Sequence, residues 1–101
     1  MSVIEIPFND WSTERLLCGN KTATSRNKNY GKSGDVFHVQ NMAFEIYSIE
    51  YLKLVTVAFM HFREEGATGP QEFIDVWTEL HPKVGFIPSQ KVYFHKFKRI
   101  D

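Results

Sequence analysis

The sequence predicts an α+β fold, in which a small, strongly bent sheet has helices inserted between its strands. Segments rich in β-forming residues lie near the start, in the middle and at the end of the chain. Segments with a helical spacing of apolar residues separate them, and this mixture is typical of α+β domains. Aromatic residues make up 15% of the chain. Because a bent sheet or barrel buries large side chains economically, we expect the sheet to curl.

The first segments of the chain predict an edge strand and a helix. Residues 3–6 form a short apolar run that we expect at the edge of the sheet. Asn9 or Asp10 is a favourable N-cap for a helix over residues 11–18. Gly19 then supplies the left-handed conformation that commonly ends a helix.

The middle of the chain predicts a loop, two strands and a helical segment. Residues 27–34 are polar and contain glycine, so they predict a loop. Residues 36–40 and 43–49 alternate in polarity and predict strands joined by a tight connection. Residues 53–65 fit strand or helix by composition. There we expect the strand to end or turn near Leu54. A helix should then run through residue 62 to residue 65, where Gly66 closes it.

The end of the chain predicts a helix and a final strand. Pro70 suits the first position of a helix, and Glu72 falls in its first turn. Apolar residues then recur at helical spacing until Pro82 ends the helix. Residues 83–89 predict a loop, and residues 91–99 predict a strand rich in β formers.

Length and charge limit the class of protein. With 101 residues we expect one domain over residues 1–101, with a single core. Twelve basic and twelve acidic residues cancel, which excludes the broad positive field of a tight, non-specific nucleic-acid binder. A local basic groove and an uncharged nucleoside ligand are both compatible with this balance.

The sequence also predicts a cellular setting. Cys18 is the only cysteine, so we expect no internal disulfide and a cytoplasmic location. The opening residues lack a basic segment before an apolar run, so we expect no signal peptide. No apolar stretch approaches the ~20 residues that span a bilayer, and we expect no membrane partner.

The segment GNKTATSR, residues 19–26, contains several side chains that are suited to catalysis. It places Lys21, Thr24 and Arg26 within six residues, directly after a glycine that can end a helix. A lysine near a threonine is the minimum set for activating a hydroxyl without histidine or metal, and the arginine adds a fixed positive charge. Each residue also has an ordinary interpretation, as a solvated lysine, a strand threonine and a structural arginine.

The spacing G-x-K-x-x-T-x-R, followed by the turn Gly34-Asp35 into a strand, resembles the ASCH family of PUA-like β-barrel domains. The resemblance covers nearly the whole chain, because a helix precedes Gly19, another runs into His81-Pro82, and an aromatic, basic strand closes the chain. It implies a small PUA-like (ASCH) β-barrel with helices inserted between the strands.

Within that family, the sequence is most similar to the small bacterial N4-acetylcytidine amidohydrolases, which release cytidine and a carboxylate. The resemblance implies Lys21 as proton acceptor, Thr24 as nucleophile and Glu72 as proton donor. It implies no cofactor, and a small nucleoside as the ligand. Three other acids are rivals for the donor role: Glu79, Glu64 and Glu65.

This chemistry makes demands on the site. Lys21 can accept the proton of Thr24 only when it is neutral, so its pKa of ~10.4 has to fall to roughly 7–8. Burial lowers the pKa of lysine and raises that of glutamate, so the useful state is neutral Lys21 beside protonated Glu72, titrating as a coupled pair. Residues three apart on a regular strand point to opposite faces. We therefore expect a turn or bulge over residues 21–23.

Two further residues are expected to support the substrate. Arg26 disfavours a charge on Lys21 and is suited to holding the acyl oxygen. Tyr30 lies in a polar loop that forms either a mobile lid or a solvated surface. Stacking on a base is one interpretation of Tyr30, Phe8 or Trp11, and core packing is the alternative for the last two.

Two other functions fit the same sequence. One is an RNA-binding module without catalysis, and the other is a ribonuclease acting on single-stranded RNA, in which Lys21 and Arg26 stabilise phosphate charge. RNA is therefore a second candidate partner. The four histidines show no ligand spacing and no second cysteine supports zinc, so we expect no metal site.

Overall fold

The strands of the protein form one antiparallel sheet. The computed structural model describes residues 2–101. Within these residues the elements in chain order are α1 (Asp10–Leu17), β1 (Ala23–Arg26), β2 (Val36–Val39), β3 (Met42–Lys53), α2 (Leu54–Met60), α3 (Pro70–Leu80) and β4 (Lys91–Arg99). The strand order is β1-β4-β3-β2, and the sheet curls into an open half-barrel. The predicted α+β class is confirmed.

The long strands β3 and β4 form the centre of the sheet. Their pairing runs from Phe44 opposite Arg99 to Lys53 opposite Lys91, with an irregularity between Ile46 and Ser48. Such an irregularity bends a strand and increases its twist. β1 pairs only with β4 and forms one edge of the sheet within the described residues. The site described below lies at this edge.

Two groups of buried apolar side chains fill the two sides of the sheet. One lies between β1, β4 and the helices α2 and α3: Ala23, Leu54, Val57, Ala58, Ala67, Phe73, Trp77, Val92 and Phe94. The other joins α1 and the N-terminal segment to β2, β3 and β4: Ile6, Leu16, Phe37, Phe44, Ile46 and Phe97. Because both groups include β4 side chains, that strand anchors the whole fold.

Local chemistry sets the ends of the first and third helices. The side chain of Asn9 accepts a hydrogen bond from the amide of Ser12 (2.8 Å), which caps α1. Gly19 has a φ of 87°, so the chain leaves α1 through the left-handed region. Pro70 is in the first turn of α3. All three features lie where the sequence predicts a helix start or stop, and Pro82 follows α3 closely.

The structure differs from the sequence prediction in four segments. Residues 3–6 form only an isolated parallel bridge between Val3 and Val36, because Pro7 follows and has no amide to extend the pairing. β2 ends at Val39, since Gln40 turns with a φ of 53°. β3 continues past residue 49 to Lys53.

The helix predicted to follow a turn near Leu54 is present, but its predicted end at residue 65 is wrong. α2 begins at Leu54 and ends at Met60, and irregular turns follow until Gly66. In these turns the amide of Ala67 donates to the carbonyl of Phe62 (2.9 Å), five residues back, so the regular helical pattern is lost. This turn segment carries Glu65 towards β1.

Candidate active site

The end of α1 places Lys21 at the edge of the sheet. After the left-handed Gly19, the amides of Asn20 and Lys21 both donate to the carbonyl of Arg15 (2.9 and 3.1 Å). These bonds satisfy a free carbonyl at the end of the helix and fix the direction of the chain. Lys21 is consequently buried, with 3% of its surface exposed.

The chain is irregular between Lys21 and β1. The successive amides of Thr22 and Ala23 both donate to the carbonyl of Glu64 (2.8 and 3.0 Å), whereas successive amides of a regular strand point in opposite directions. After this point Ala23, Thr24 and Ser25 are all buried. The expected irregularity over residues 21–23 is present, and Lys21 and Thr24 line the same cavity.

Lys21, Glu65 and Ser25 form a buried hydrogen-bonded group. The Lys21 Nζ lies 2.9 Å from Glu65 Oε1 and donates to the Glu65 carbonyl at 3.0 Å. The Ser25 hydroxyl donates to Glu65 Oε2 at 2.5 Å. All three residues are less than a tenth exposed. Both carboxyl oxygens of Glu65 are therefore engaged, one by the lysine and one by the serine.

Burial governs the charge of this group. The pKa of Lys21 is lowered from its usual value mainly because burial disfavours the ammonium ion, and Arg26 and Arg15 lower it further. Glu65 acts in the opposite direction, through its charge and its hydrogen bond. A neutral amine beside a carboxylic acid has the same total charge as the ion pair, and it avoids placing two ions in a dry site. The pair can therefore exchange a proton over 2.9 Å.

Thr24 and Arg26 lie next to this group on β1. The Thr24 Oγ1 accepts a hydrogen bond from Arg26 Nε at 3.2 Å. The Arg26 guanidinium lies 4.9 Å from the ring centre of Phe8 and 5.6 Å from that of Tyr30. Among residues 2–101, no carboxylate lies within ion-pair distance of it. Arg26 thus presents a positive charge without an ion-pair partner beside the Thr24 hydroxyl.

These side chains open into a cavity of about 640 Å³, a size typical of small-molecule sites. Its polar wall is formed by Lys21, Thr24, Ser25, Arg26 and Glu65. Its aromatic wall is formed by side chains from the N-terminal segment, α1, the 27–34 loop and α3: Phe8, Trp11, Tyr30, Phe73 and Trp77. An aromatic cleft with a few convergent polar groups fits a flat, polar heterocycle.

His95 ties the loop of Tyr30 to β1. The Tyr30 amide donates to His95 Nε2 (3.1 Å), so that nitrogen carries no proton and His95 Nδ1 donates to the Thr24 carbonyl (3.2 Å). Burial, the main cause, lowers the pKa of this histidine. The neutral His95 ring therefore holds both Tyr30 and the strand that carries Thr24.

The structure does not bring Glu72 to this site. The Glu72 carboxylate accepts hydrogen bonds from the amide and hydroxyl of Thr68 (2.7 and 3.1 Å) and lies 3.7 Å from Arg15. The bond from the Thr68 amide is the main reason that the pKa of Glu72 is lowered, whereas a proton donor needs a raised pKa. Glu72 is a capping residue at the start of α3, and it is not among the residues that line the cavity.

Of the three rival acids, only Glu65 forms a hydrogen bond with Lys21. Glu64 pairs with His61 (2.9 Å), and Glu79 is exposed on α3. Glu65 is only a rival donor in the sequence analysis, because a helix is expected there and no local pattern places the turn beside β1. Ser25 and His95 are further site residues that the sequence did not single out. Ser25 lies inside the motif, but His95 has no local signal.

Neither a metal site nor a membrane span is found in the described residues. Residues 2–101 contain no cluster of three or more His, Cys, Asp or Glu placed to hold a metal ion. Over the same range, no helix has both the length and the apolar character to cross a bilayer.

Comparison with known proteins identifies the fold. No protein-family model matches the sequence, and no curated protein matches it. Among solved structures, an ASCH domain from Lactobacillus crispatus covers 97% of this chain and 78% of its own, with 15% identity and a TM-score of 0.60. The chain has the fold of an ASCH domain. The PUA-like fold implied by the sequence resemblance is therefore confirmed.

Two other solved structures share the fold of this chain. Protein EF3133 from Enterococcus faecalis, assigned to family DUF984, covers 99% of this chain and 76% of its own, with 22% identity and a TM-score of 0.64. A hypothetical protein, PH0355, covers 99% of this chain and 100% of its own, with 16% identity and a TM-score of 0.67. At these identities the likeness concerns the fold.

Proposed function

We propose that this ASCH domain is an amidohydrolase that cleaves the N4-acyl amide of N4-acetylcytidine-type nucleosides. The single observation that supports it best is the buried group of Lys21, Glu65 and Ser25 beside the Thr24 hydroxyl, all at one cavity. A lysine with a lowered pKa, a hydroxyl and a carboxylic acid are the base, nucleophile and acid of amide hydrolysis.

The first half of the reaction forms an acyl-enzyme. Neutral Lys21 takes the proton of Thr24, whose oxygen bonds to the acyl carbon. Protonated Glu65 gives its proton to N4 as the carbon–nitrogen bond breaks, so cytidine leaves as a neutral amine. Lys21 and Glu65 end as an ammonium and a carboxylate, which is the ion-pair form of the same group.

The second half restores the enzyme. Glu65, now a carboxylate, takes a proton from water, whose oxygen bonds to the acyl carbon. The bond to Thr24 breaks, and the Lys21 ammonium returns a proton to the threonine oxygen. The products are cytidine and a carboxylic acid, and the net reaction consumes one water.

Arg26 has two tasks in this proposal. Its Nε bond to Thr24 Oγ1 stabilises the developing alkoxide, because a charged donor favours the anionic oxygen. The remaining N–H groups of the guanidinium are available to the acyl oxygen as it becomes negative. A positioned donor of this kind contributes about 10²–10³ in rate. The nearby Tyr30 ring and the aromatic wall hold the cytosine.

Thr24 and Lys21 are not in direct hydrogen-bond contact within the described residues. Hydrogen bonds of this kind commonly tighten only when substrate is bound. Both groups line the same cavity, and the chain irregularity directs them to it. A substrate that fills the cavity is expected to bring the hydroxyl within reach of the amine.

The test is hydrolysis of N4-acetylcytidine. The loss of the amide is monitored by the change in ultraviolet absorbance. The wild-type protein should turn over, while Lys21→Ala and Thr24→Ala, each shown folded by circular dichroism, should not. Turnover that survives both substitutions would contradict the assigned roles. No turnover by wild type, together with shortening of single-stranded RNA, would favour the ribonuclease.

A further inference from the structure

The side chain of Ser25 contacts Glu65, and Ser25 also belongs to the wall of the cavity. Its Oγ lies 2.5 Å from Glu65 Oε2, and among residues 2–101 it has no other hydrogen-bond partner. Ser25 is one of the residues that line the cavity. A hydroxyl donates one hydrogen bond and accepts up to two. Ser25 can therefore hold Glu65 and a ligand at the same time.

The hydrogen bonds of Lys21 indicate which oxygen of Glu65 carries the proton when the pair is neutral. The Lys21 Nζ donates to the Glu65 carbonyl at 3.0 Å and to Glu65 Oε1 at 2.9 Å. A neutral amine has two N–H bonds and one lone pair, so these two bonds use both hydrogens. A proton on Oε1 would occupy the lone pair and block the amine as a base for Thr24. The proton therefore belongs on Oε2, the oxygen that faces Ser25.

The free edge of β1 lets one ligand reach both Thr24 and Ser25. Adjacent residues of a strand point to opposite faces. Within the described part of the chain, β1 pairs only with β4, so its other edge is unpaired. The cavity is lined by Phe8 on one side of the sheet and by Trp77 on the other, so it extends around this edge. An amide that lies across the edge can have its acyl carbon at Thr24 and its nitrogen at Ser25.

We propose that Ser25 is a catalytic residue that relays a proton from Glu65 to the leaving nitrogen of the amide. As the bond between the acyl carbon and N4 breaks, the hydroxyl proton of Ser25 moves to N4 and the proton on Glu65 Oε2 moves to Ser25 Oγ. N4 leaves as a neutral amine, Glu65 becomes a carboxylate, and Ser25 is unchanged. The inference rests on the proposed function and adds to it the route of this proton.

The same route returns the proton in the second half of the reaction. When water attacks the acyl-enzyme, a water proton passes to Ser25 Oγ and the hydroxyl proton of Ser25 passes to Glu65 Oε2. Lys21 keeps its two bonds to Glu65 and gives its third proton to Thr24. Between the two halves, Ser25 donates to a carboxylate. The distance of 2.5 Å agrees with the length of about 2.5–2.7 Å that is typical of such a bond.

Two substrates with different leaving groups test the relay. The nitrogen of N4-acetylcytidine needs a proton to leave, whereas the nitrophenolate of p-nitrophenyl acetate leaves as an anion. Comparing kcat/KM isolates the steps up to release of the leaving group. Ser25→Ala, shown folded by circular dichroism, should lower kcat/KM for the amide by about 10²-fold, as expected for a disrupted general acid. Its loss for the ester should be smaller by at least about tenfold.

The chain offers a matched control for this variant. Ser12 is also buried and also lines the cavity, but no hydrogen bond joins its side chain to Glu65 among residues 2–101. Ser12→Ala should keep the wild-type ratio of amide to ester hydrolysis. Ser25→Thr retains the hydroxyl and should recover most of the amide hydrolysis that Ser25→Ala loses. The double variant Ser25→Ala with Glu65→Gln should be no slower on the amide than the slower single variant, because both residues move one proton.

The possible results separate the relay from the proposed reaction. If Ser25→Ala loses amide and ester hydrolysis equally, or if the losses add in the double variant, the relay is overturned while wild-type turnover of N4-acetylcytidine still supports the reaction. If wild type does not cleave N4-acetylcytidine, acetanilide replaces it as the amide. A loss in Ser25→Ala that is selective for acetanilide over the ester would then uphold the relay without the nucleoside substrate. Hydrolysis of neither amide by wild type overturns both proposals.

Discussion

Exchanging the carboxyl group of Glu65 for an amide tests the assignment of the proton donor. Glu65→Gln preserves the shape of the side chain but removes the proton that the leaving nitrogen needs. In the structure, both carboxyl oxygens are engaged, by Lys21 at 2.9 Å and by Ser25 at 2.5 Å. Because a positioned general acid contributes about 10²–10⁴ in rate, kcat for N4-acetylcytidine should fall by that factor.

The same substitution has a predictable effect on stability. Glutamine removes the acid that shares a proton with Lys21, so a protonated Lys21 has no counter-charge in this variant, and breaking a buried pair costs about 3–5 kcal/mol. Lys21 has a lowered pKa in the fold, so the unfolded state binds its proton more tightly at every pH below 10.5. The loss in Glu65→Gln should therefore be largest near neutral pH and shrink as pH rises towards 10.5. Urea unfolding at several pH values measures it.

Glu72→Gln is the matched control. It makes the same chemical change at an acid that the structure places on Thr68 and Arg15, away from the cavity. Its kcat should equal that of wild type, with a stability loss of about 1 kcal/mol from the weakened hydrogen bonds to Thr68. A Glu72→Gln protein without activity beside an active Glu65→Gln protein would return the donor role to Glu72 and refute the geometry.

Three further predictions concern the same site. Thr24→Val should abolish turnover, whereas Ser25→Ala should leave measurable activity. Mass spectrometry of quenched wild-type protein should find the acyl group on Thr24. An acyl group on Ser25 would contradict the assignment of the nucleophile. Lys21→Arg should lose at least about 10² in kcat, since a guanidinium stays charged. Wild-type kcat/KM should fall as pH rises through the lowered pKa of Lys21, below 10.5, because the Lys21–Glu65 pair then loses the one proton that it shares and Glu65 can no longer donate to N4. A kcat/KM that keeps rising over this pH range would contradict the shared-proton state. The pKa of His95 in the fold is below 6.5, so the melting temperature should fall as pH drops through 6.5. A folded His95→Gln protein should lack this dependence. The same pH dependence in that variant would contradict the role of His95.

The sequence predicted the elements best where local chemistry decides them. The final strand has the predicted bounds of residues 91–99, because β-forming residues fill it, and the last helix begins at Pro70 as predicted. Gly19 ends α1 where the pattern placed a stop. Capping, proline and glycine act within a few residues, so a single sequence reveals them.

The site was only partly predictable for the opposite reason. Lys21, Thr24 and Arg26 come from one short motif, and the structure places all three at one cavity. Glu65 and His95 reach it over separations of 44 and 71 residues, through hydrogen bonds to Lys21 and to the Thr24 carbonyl. Such contacts depend on strand order and on an irregular turn, which periodicity does not encode.

The shared carbonyl of Glu64 also bears on how the selectivity of this protein can be altered. It binds the strand of the nucleophile to the turn of the acid, so the reacting groups keep their spacing when other parts shift. The far wall of the cavity comes from α3 and the N-terminal segment, through side chains such as Trp77 and Phe8, which have no part in that link. Remodelling this wall should let larger acyl chains enter while the bond-breaking machinery stays in place.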